Sequence, residues 1–152
     1  MCANRADLVE DLNRLMAEEA EACLRYFQMR FRLRGPGRVA AEAFFEDALR
    51  ETLEHADAIA QQIRSLGHIP SLRIDLSLDG GPMRPAEALA EALDVEQQAL
   101  DAYKEFLPRT AGHPTLEKFI HAQIAVETEH VQEIITIAPA GAPLKLVDKP
   151  GS

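Results

Sequence analysis

Glu127 and His130 stand three residues apart in a segment whose other regularly spaced positions are mostly apolar. On a helix of 3.6 residues per turn, that spacing offsets the two side chains by about 60°, so both can reach one metal ion. The row containing them reads Leu116, Ile120, Gln123, Glu127, His130, Ile134, Ile137. The same kind of interruption occurs in three other rows. Leu8, Leu12 and Leu15 lead to Glu19, then to Ala22, Cys23 and Tyr26. Phe44 and Ala48 lead to Glu51 or Thr52 and then His55, before Ile59, Ile63 and Leu66. Leu89, Ala92 and Leu93 lead to Glu96, then to Ala99, Tyr103 and Phe106. A lone E-x-x-H is weak evidence, since it arises often by chance. Four apolar rows interrupted at matching depth are a much stronger signal.

Burying an unpaired carboxylate costs several kcal/mol, so buried charges are normally paired or bound to metal. Glu19, Glu96 and Glu127 have no inward Lys or Arg to meet them, only His55 and His130. A divalent cation supplies the missing charge and suits mixed carboxylate and imidazole donors. Other candidate donors read more simply. His68, His113 and His121 lie in or beside loops or off the stripe, Cys23 reads as a small buried hydrophobe, and Tyr26 and Tyr103 read first as core packing, each also able to hydrogen-bond a ligand carboxylate.

These rows require helices, and the breakers delimit them. The first runs from about Arg5 to Leu33 and stops at Gly35-Pro36-Gly37. The second runs from about Val39 to Leu66, with Gly67 as its stop. The third starts near Pro85 and ends before Pro108; the fourth starts near Pro114 or Thr115 and ends before Pro139. Short connections make the first two helices one antiparallel hairpin and the last two another. Leu66 to Pro85 is a connection of about 20 residues, which extended can reach about 66 Å, against about 42 Å for a helix of 28 residues. Such a loop crosses the bundle and leaves the second and third helices parallel. The expected fold is all-α, a four-helix bundle over residues 1–138 followed by an irregular tail over 139–152, which holds three prolines and two glycines.

Composition narrows the function classes. Net charge is −9, and the most basic stretch, Arg30 to Arg38, has four arginines at a helix end, so no nucleic-acid partner is expected. Met1 to Glu10 lacks an apolar core of signal-peptide length and no window approaches a transmembrane span, so neither export nor a membrane partner is expected and the reading is cytoplasmic.

Two hairpins joined by one long crossover, with these residues inside, resemble the bacterioferritin branch of the ferritin-like superfamily. The similarity runs from about Asp7 to Ile137 and is carried by Leu12-Asn13 ahead of Glu19, Arg25-Tyr26-Phe27, His55-Ala56-Asp57, and Glu127 with His130. In the family pattern two helices each give one Glu, and two each give a Glu-x-x-His. Glu19 and Glu96 match the single glutamates, Glu127 with His130 matches one pair, and His55 matches the second histidine. Thr52 stands where the family places a carboxylate bridging two irons; Glu51, four residues before His55 on a shared helix face, is the candidate substitute. The implied ligand set is Glu19, Glu51, His55, Glu96, Glu127 and His130, with iron as the metal, one ion or two. Leu53 occupies the position of the family's haem-binding methionine, so no haem is expected.

The resemblance implies a ferroxidase-type protein that oxidises Fe(II) with O2, storing the iron if subunits close into a shell, and working as a homo-oligomer, dimer or larger. Two further readings stay open: an oxygenase acting on an organic substrate, and a non-catalytic bundle with a degenerate site.

Overall fold

The computed structural model describes residues 3–137, and the tail expected over 139–152 lies outside them. Four long helices make up the fold: α1 Arg5–Arg32, α2 Arg38–Ser65, α3 Pro85–Phe106 and α4 Pro114–Ile137. Their ends follow from local chemistry. Asn4 caps α1, its Oδ1 accepting the Ala6 N–H at 2.6 Å. Pro85 opens α3, and Glu87 Oε2 accepts the Arg84 N–H at 2.9 Å. At the end of α2, Gly67 takes φ +85°, Gly67 N–H donates to Arg64 O and His68 N–H to Ile63 O, the paired bonds of a Schellman turn. The connection after α3 is not a plain loop: Leu107–Thr110 form a 3-10 turn whose Arg109 Nε lies 2.9 Å from buried Asp11 of α1.

The two apolar clusters fix the helix directions. One gathers Leu8, Leu12 and Leu15 of α1 with Ile59 and Ile63 of α2, Tyr103 and Phe106 of α3, and Leu116 and Ile120 of α4. The other gathers Tyr26 and Met29 with Ala41 and Phe45, Ala88 and Leu89, and Ile134. The start of α1, the ends of α2 and α3 and the start of α4 therefore share one end of the bundle. Helices α2 and α3 run parallel, as the long crossover requires.

That crossover lies along α1. Ser71 N–H donates to Asn13 Oδ1 (2.9 Å), Gln28 Nε2 to Leu78 O (3.3 Å) and Arg32 Nε to Gly81 O (2.8 Å). Between Asn13 and Gln28 the helix rises about 22 Å, while seven extended residues from Ser71 to Leu78 reach about 23 Å, so the strap is nearly taut. Leu33 then pairs with Met83 in a short parallel bridge.

Two inward faces differ from the sequence reading. Phe45 is fully buried and Phe44 only partly, and Leu100 is buried where Ala99 was expected. At 99–100 the larger side chain of the two lies nearer the core axis; at 44–45 the two rings are alike, and Phe44 packs edge to face on Phe45 at 5.1 Å. Each fully buried Leu, Ile or Phe contributes roughly 1.5–3 kcal/mol. Two such clusters let the fold carry a polar layer between them.

Candidate metal centre

The layer between the clusters holds Glu19, Glu96 and Glu127, which are 4%, 7% and 0% exposed. Glu127 lies between the two imidazoles. Its Oε1 is 3.0 Å from His55 Nδ1 and its Oε2 is 3.7 Å from His130 Nδ1. The second approach is too long for a hydrogen bond and the first is a short ion-pair approach without hydrogen-bond alignment, so among the described residues neither buried Glu127 oxygen has a hydrogen-bond partner. Glu19 Oε2 lies 3.6 Å from His55 Nδ1, and Glu96 Oε2 lies 3.6 Å from His130 Nδ1. The rings stack at 5.5 Å with planes 15° apart. One donor atom each from His55, Glu127 and His130 fall within 4.8 Å of one another.

The tyrosines complete the layer. Tyr103 O–H donates to Glu19 Oε1 and Tyr26 O–H to Glu96 Oε1, both at 2.6 Å. Each bond joins α1 to α3, in opposite senses. Sequence reasoning ranked packing first for both tyrosines. The signal for the polar role is a shared spacing: Glu19–Tyr26 and Glu96–Tyr103 are each seven residues apart, close to two turns, so each pair shares a face.

Charges in this layer compensate one another. Burial opposes a charge on His55, but the carboxylates of Glu127 and Glu19 outweigh it and raise its pKa to about 10. Contacts with Glu127 and Glu96 raise His130 to about 10 against a smaller burial effect. Burial lifts Glu19 above the usual carboxylate range despite His55 and Tyr103. For Glu96, burial is again the largest influence and acts upward, but His130, Glu127 and Tyr26 together hold it below that range. Without metal, two imidazolium protons thus sit among three carboxylates.

Of the six residues singled out in the sequence, five lie in the bundle interior: Glu19, His55, Glu96, Glu127 and His130. Glu51 is at the edge, with its side chain 51% exposed and its Oε2 3.0 Å from His130 Nε2. It therefore meets the ring nitrogen opposite the one facing Glu96 and Glu127. Thr52 is the inward residue on that turn, 4% exposed, with its hydroxyl donating to Ala48 O at 2.6 Å. The donor set of carboxylates and imidazoles, with Glu127 lacking any hydrogen-bond donor, fits a divalent cation.

A family model described as the ferritin-like domain matches residues 9–138. The chain belongs to the ferritin-like family. Among solved structures it is similar to a ferritin-like, diiron-carboxylate protein from Bacillus anthracis str. Ames, with TM-score 0.78 and 24% identity over 91% of this chain and 100% of that one. It also resembles antigen TpF1 from Treponema pallidum (TM-score 0.81, 14% identity, 90% of this chain and 94% of that one). A third similar structure is Dps from Staphylococcus aureus (TM-score 0.81, 16% identity, 91% of this chain and 99% of that one). At such identities these likenesses concern the fold. A search of curated protein sequences finds no match. Among the described residues of this ferritin-like chain, no helix is long and apolar enough to cross a membrane.

Proposed function

We propose that this ferritin-like protein binds Fe(II) in its central layer and promotes its oxidation by O2, with a bacterioferritin-like arrangement of ligands. The observation that carries the reading is Glu127, fully buried, with one oxygen toward each histidine and no hydrogen-bond donor on either. Glu127 is the residue suited to span two ions. Glu19 with His55 flanks one side, and Glu96 with His130 flanks the other. Tyr103 and Tyr26 hold the flanking carboxylates in place, so their orientation is fixed before a cation arrives. Glu51 either swings in as a ligand or steadies His130 through Nε2. Bound Fe(II) is the substrate and gives up an electron to O2 to become Fe(III). The diiron-carboxylate relative from Bacillus anthracis supports iron as the cation.

Cavity size favours this reading over an oxygenase. The cavity touching Glu96 and His130 is about 70 Å³, well under the roughly 300–1,000 Å³ of organic-ligand sites. A cleft of about 530 Å³ between α1 and the crossover is lined by Asn13, Arg14 and His68 and does not include a central-layer residue.

Self-association belongs to the same reading, with iron storage following if the copies enclose a space. Leu24, Phe27 and Phe31 form a row on α1 that is 44%, 50% and 63% exposed, and Leu53 of α2 is 59% exposed. Apolar rows of this kind favour a covered surface, here a second copy of the chain.

Fe(II) added anaerobically and then exposed to O2 tests the function. Oxygen uptake should exceed that of buffer with iron and should fall to that level in Glu127→Ala. Wild-type uptake no faster than buffer would reject the ferroxidase reading.

A further inference from the structure

The central layer is built twice over. Helix α1 gives Glu19 and Tyr26, and α3 gives Glu96 and Tyr103, each tyrosine bonded to the other helix's glutamate. Helix α4 gives Glu127 three residues before His130, and α2 gives Thr52 three residues before His55. Thr52 therefore occupies the place matching Glu127, the one carboxylate that faces both histidines. Its side chain is shorter and uncharged, and its hydroxyl proton is directed to Ala48 O of its own helix.

A cavity of about 70 Å³ lies beside Thr52, also lined by Glu96, His130, Glu51, Asp47 and Glu133. The last three are exposed, so the cavity opens to solvent along the seam between α2 and α4. A water-sized position needs roughly 10–15 Å³ of such space. The cavity has room for about five to seven of these positions. Formate has three non-hydrogen atoms, acetate has four and benzoate nine.

We propose that this cavity admits a small monocarboxylate from solution, of formate or acetate size, as a ligand to metal in the central layer, in the place where α2 lacks a carboxylate. The proposal rests on the metal-binding reading above. Charge sets the order of events. Glu51, Asp47, Glu96 and Glu133 repel an anion from the metal-free cavity. Two divalent cations bring four positive charges against three from Glu19, Glu96 and Glu127, and one monocarboxylate closes that gap. Glu51 does not close it while its carboxylate meets the outer nitrogen of His130.

Co(II) titration of the metal-free full-length protein tests this, with stoichiometry read by calorimetry and coordination by visible absorption. Acetate or formate should tighten binding of the second Co(II) at least tenfold and shift its absorption bands, while benzoate should do neither. Acetate should give no binding heat with the metal-free protein. Thr52→Glu should bind two Co(II) without added acetate and lose the dependence; should that variant fail to fold, the wild-type contrast of acetate with benzoate decides alone. Two Co(II) bound with identical spectra with and without acetate would overturn the carboxylate site and leave the metal centre standing. No Co(II) bound under any condition would overturn both.

Discussion

Metal binding should expel protons. His55 and His130 are held near pKa 10 by the carboxylates around them, so both are charged at neutral pH in the metal-free protein. A cation can use their ring nitrogens only after those protons leave. Donor atoms of His55, Glu127 and His130 lie close enough for a first divalent ion to take both rings before a second arrives, and that ion exchanges two positive charges for two, leaving the net charge of the buried layer unchanged. Each displaced proton makes apparent affinity rise tenfold per pH unit while its imidazole stays charged. Two together give about a hundredfold per unit, or about 2.7 kcal/mol. Between pH 6 and pH 8 Co(II) should bind about ten-thousandfold more tightly. Calorimetry in buffers of different ionisation enthalpy should count about two protons released. A change of less than tenfold over that range, with release near zero, would refute the charge exchange.

Other consequences are separately measurable. Tyr103→Phe removes the donor to Glu19 and leaves that buried carboxylate short of a partner, which should cost about 1–3 kcal/mol in urea unfolding of the metal-free protein; an unchanged midpoint would contradict the role given to the tyrosine. Because the folded pKa values of the histidines lie above the ordinary value of about 6.5, their charge stabilises the metal-free fold fully below about pH 6.5, and that stabilisation is lost as pH rises through about 10. The melting temperature of the metal-free protein should fall between pH 7 and pH 10, and a flat profile would count against the raised values. Glu51→Ala removes the group on His130 Nε2 and should weaken Co(II) binding about 10–100-fold; unchanged affinity would leave Glu51 as an ordinary surface acid.

Helix limits were legible because the breakers are unambiguous: Gly35-Pro36-Gly37, Gly67, Pro85, Pro108 and Pro114 all lie at or beside observed ends. The interior placement of Glu19, Glu96 and Glu127 was legible too, since each interrupts an apolar row. Finer geometry was not. Helical period assigns a face to within about one residue, so the rows read Phe44 in place of Phe45 and Ala99 in place of Leu100. It also left Glu51 and Thr52 as alternatives for one position, and the structure turns Thr52 inward with Glu51 beside it. Which nitrogen of His130 meets Glu51 depends on side-chain rotation, which spacing does not encode. The path of the crossover over Asn13, Gln28 and Arg32 and the contact of Arg109 with Asp11 join distant residues, and no local pattern announces them.

The central claim is that the buried layer is a metal site. Crystals grown from metal-free protein, soaked anaerobically with Fe(II) and measured on both sides of the iron absorption edge, test it most directly. The expected result is anomalous density beside Glu127, within coordination distance of His55 or His130. Well-ordered crystals with no anomalous density in that layer, at saturating Fe(II) and pH 8, would contradict it.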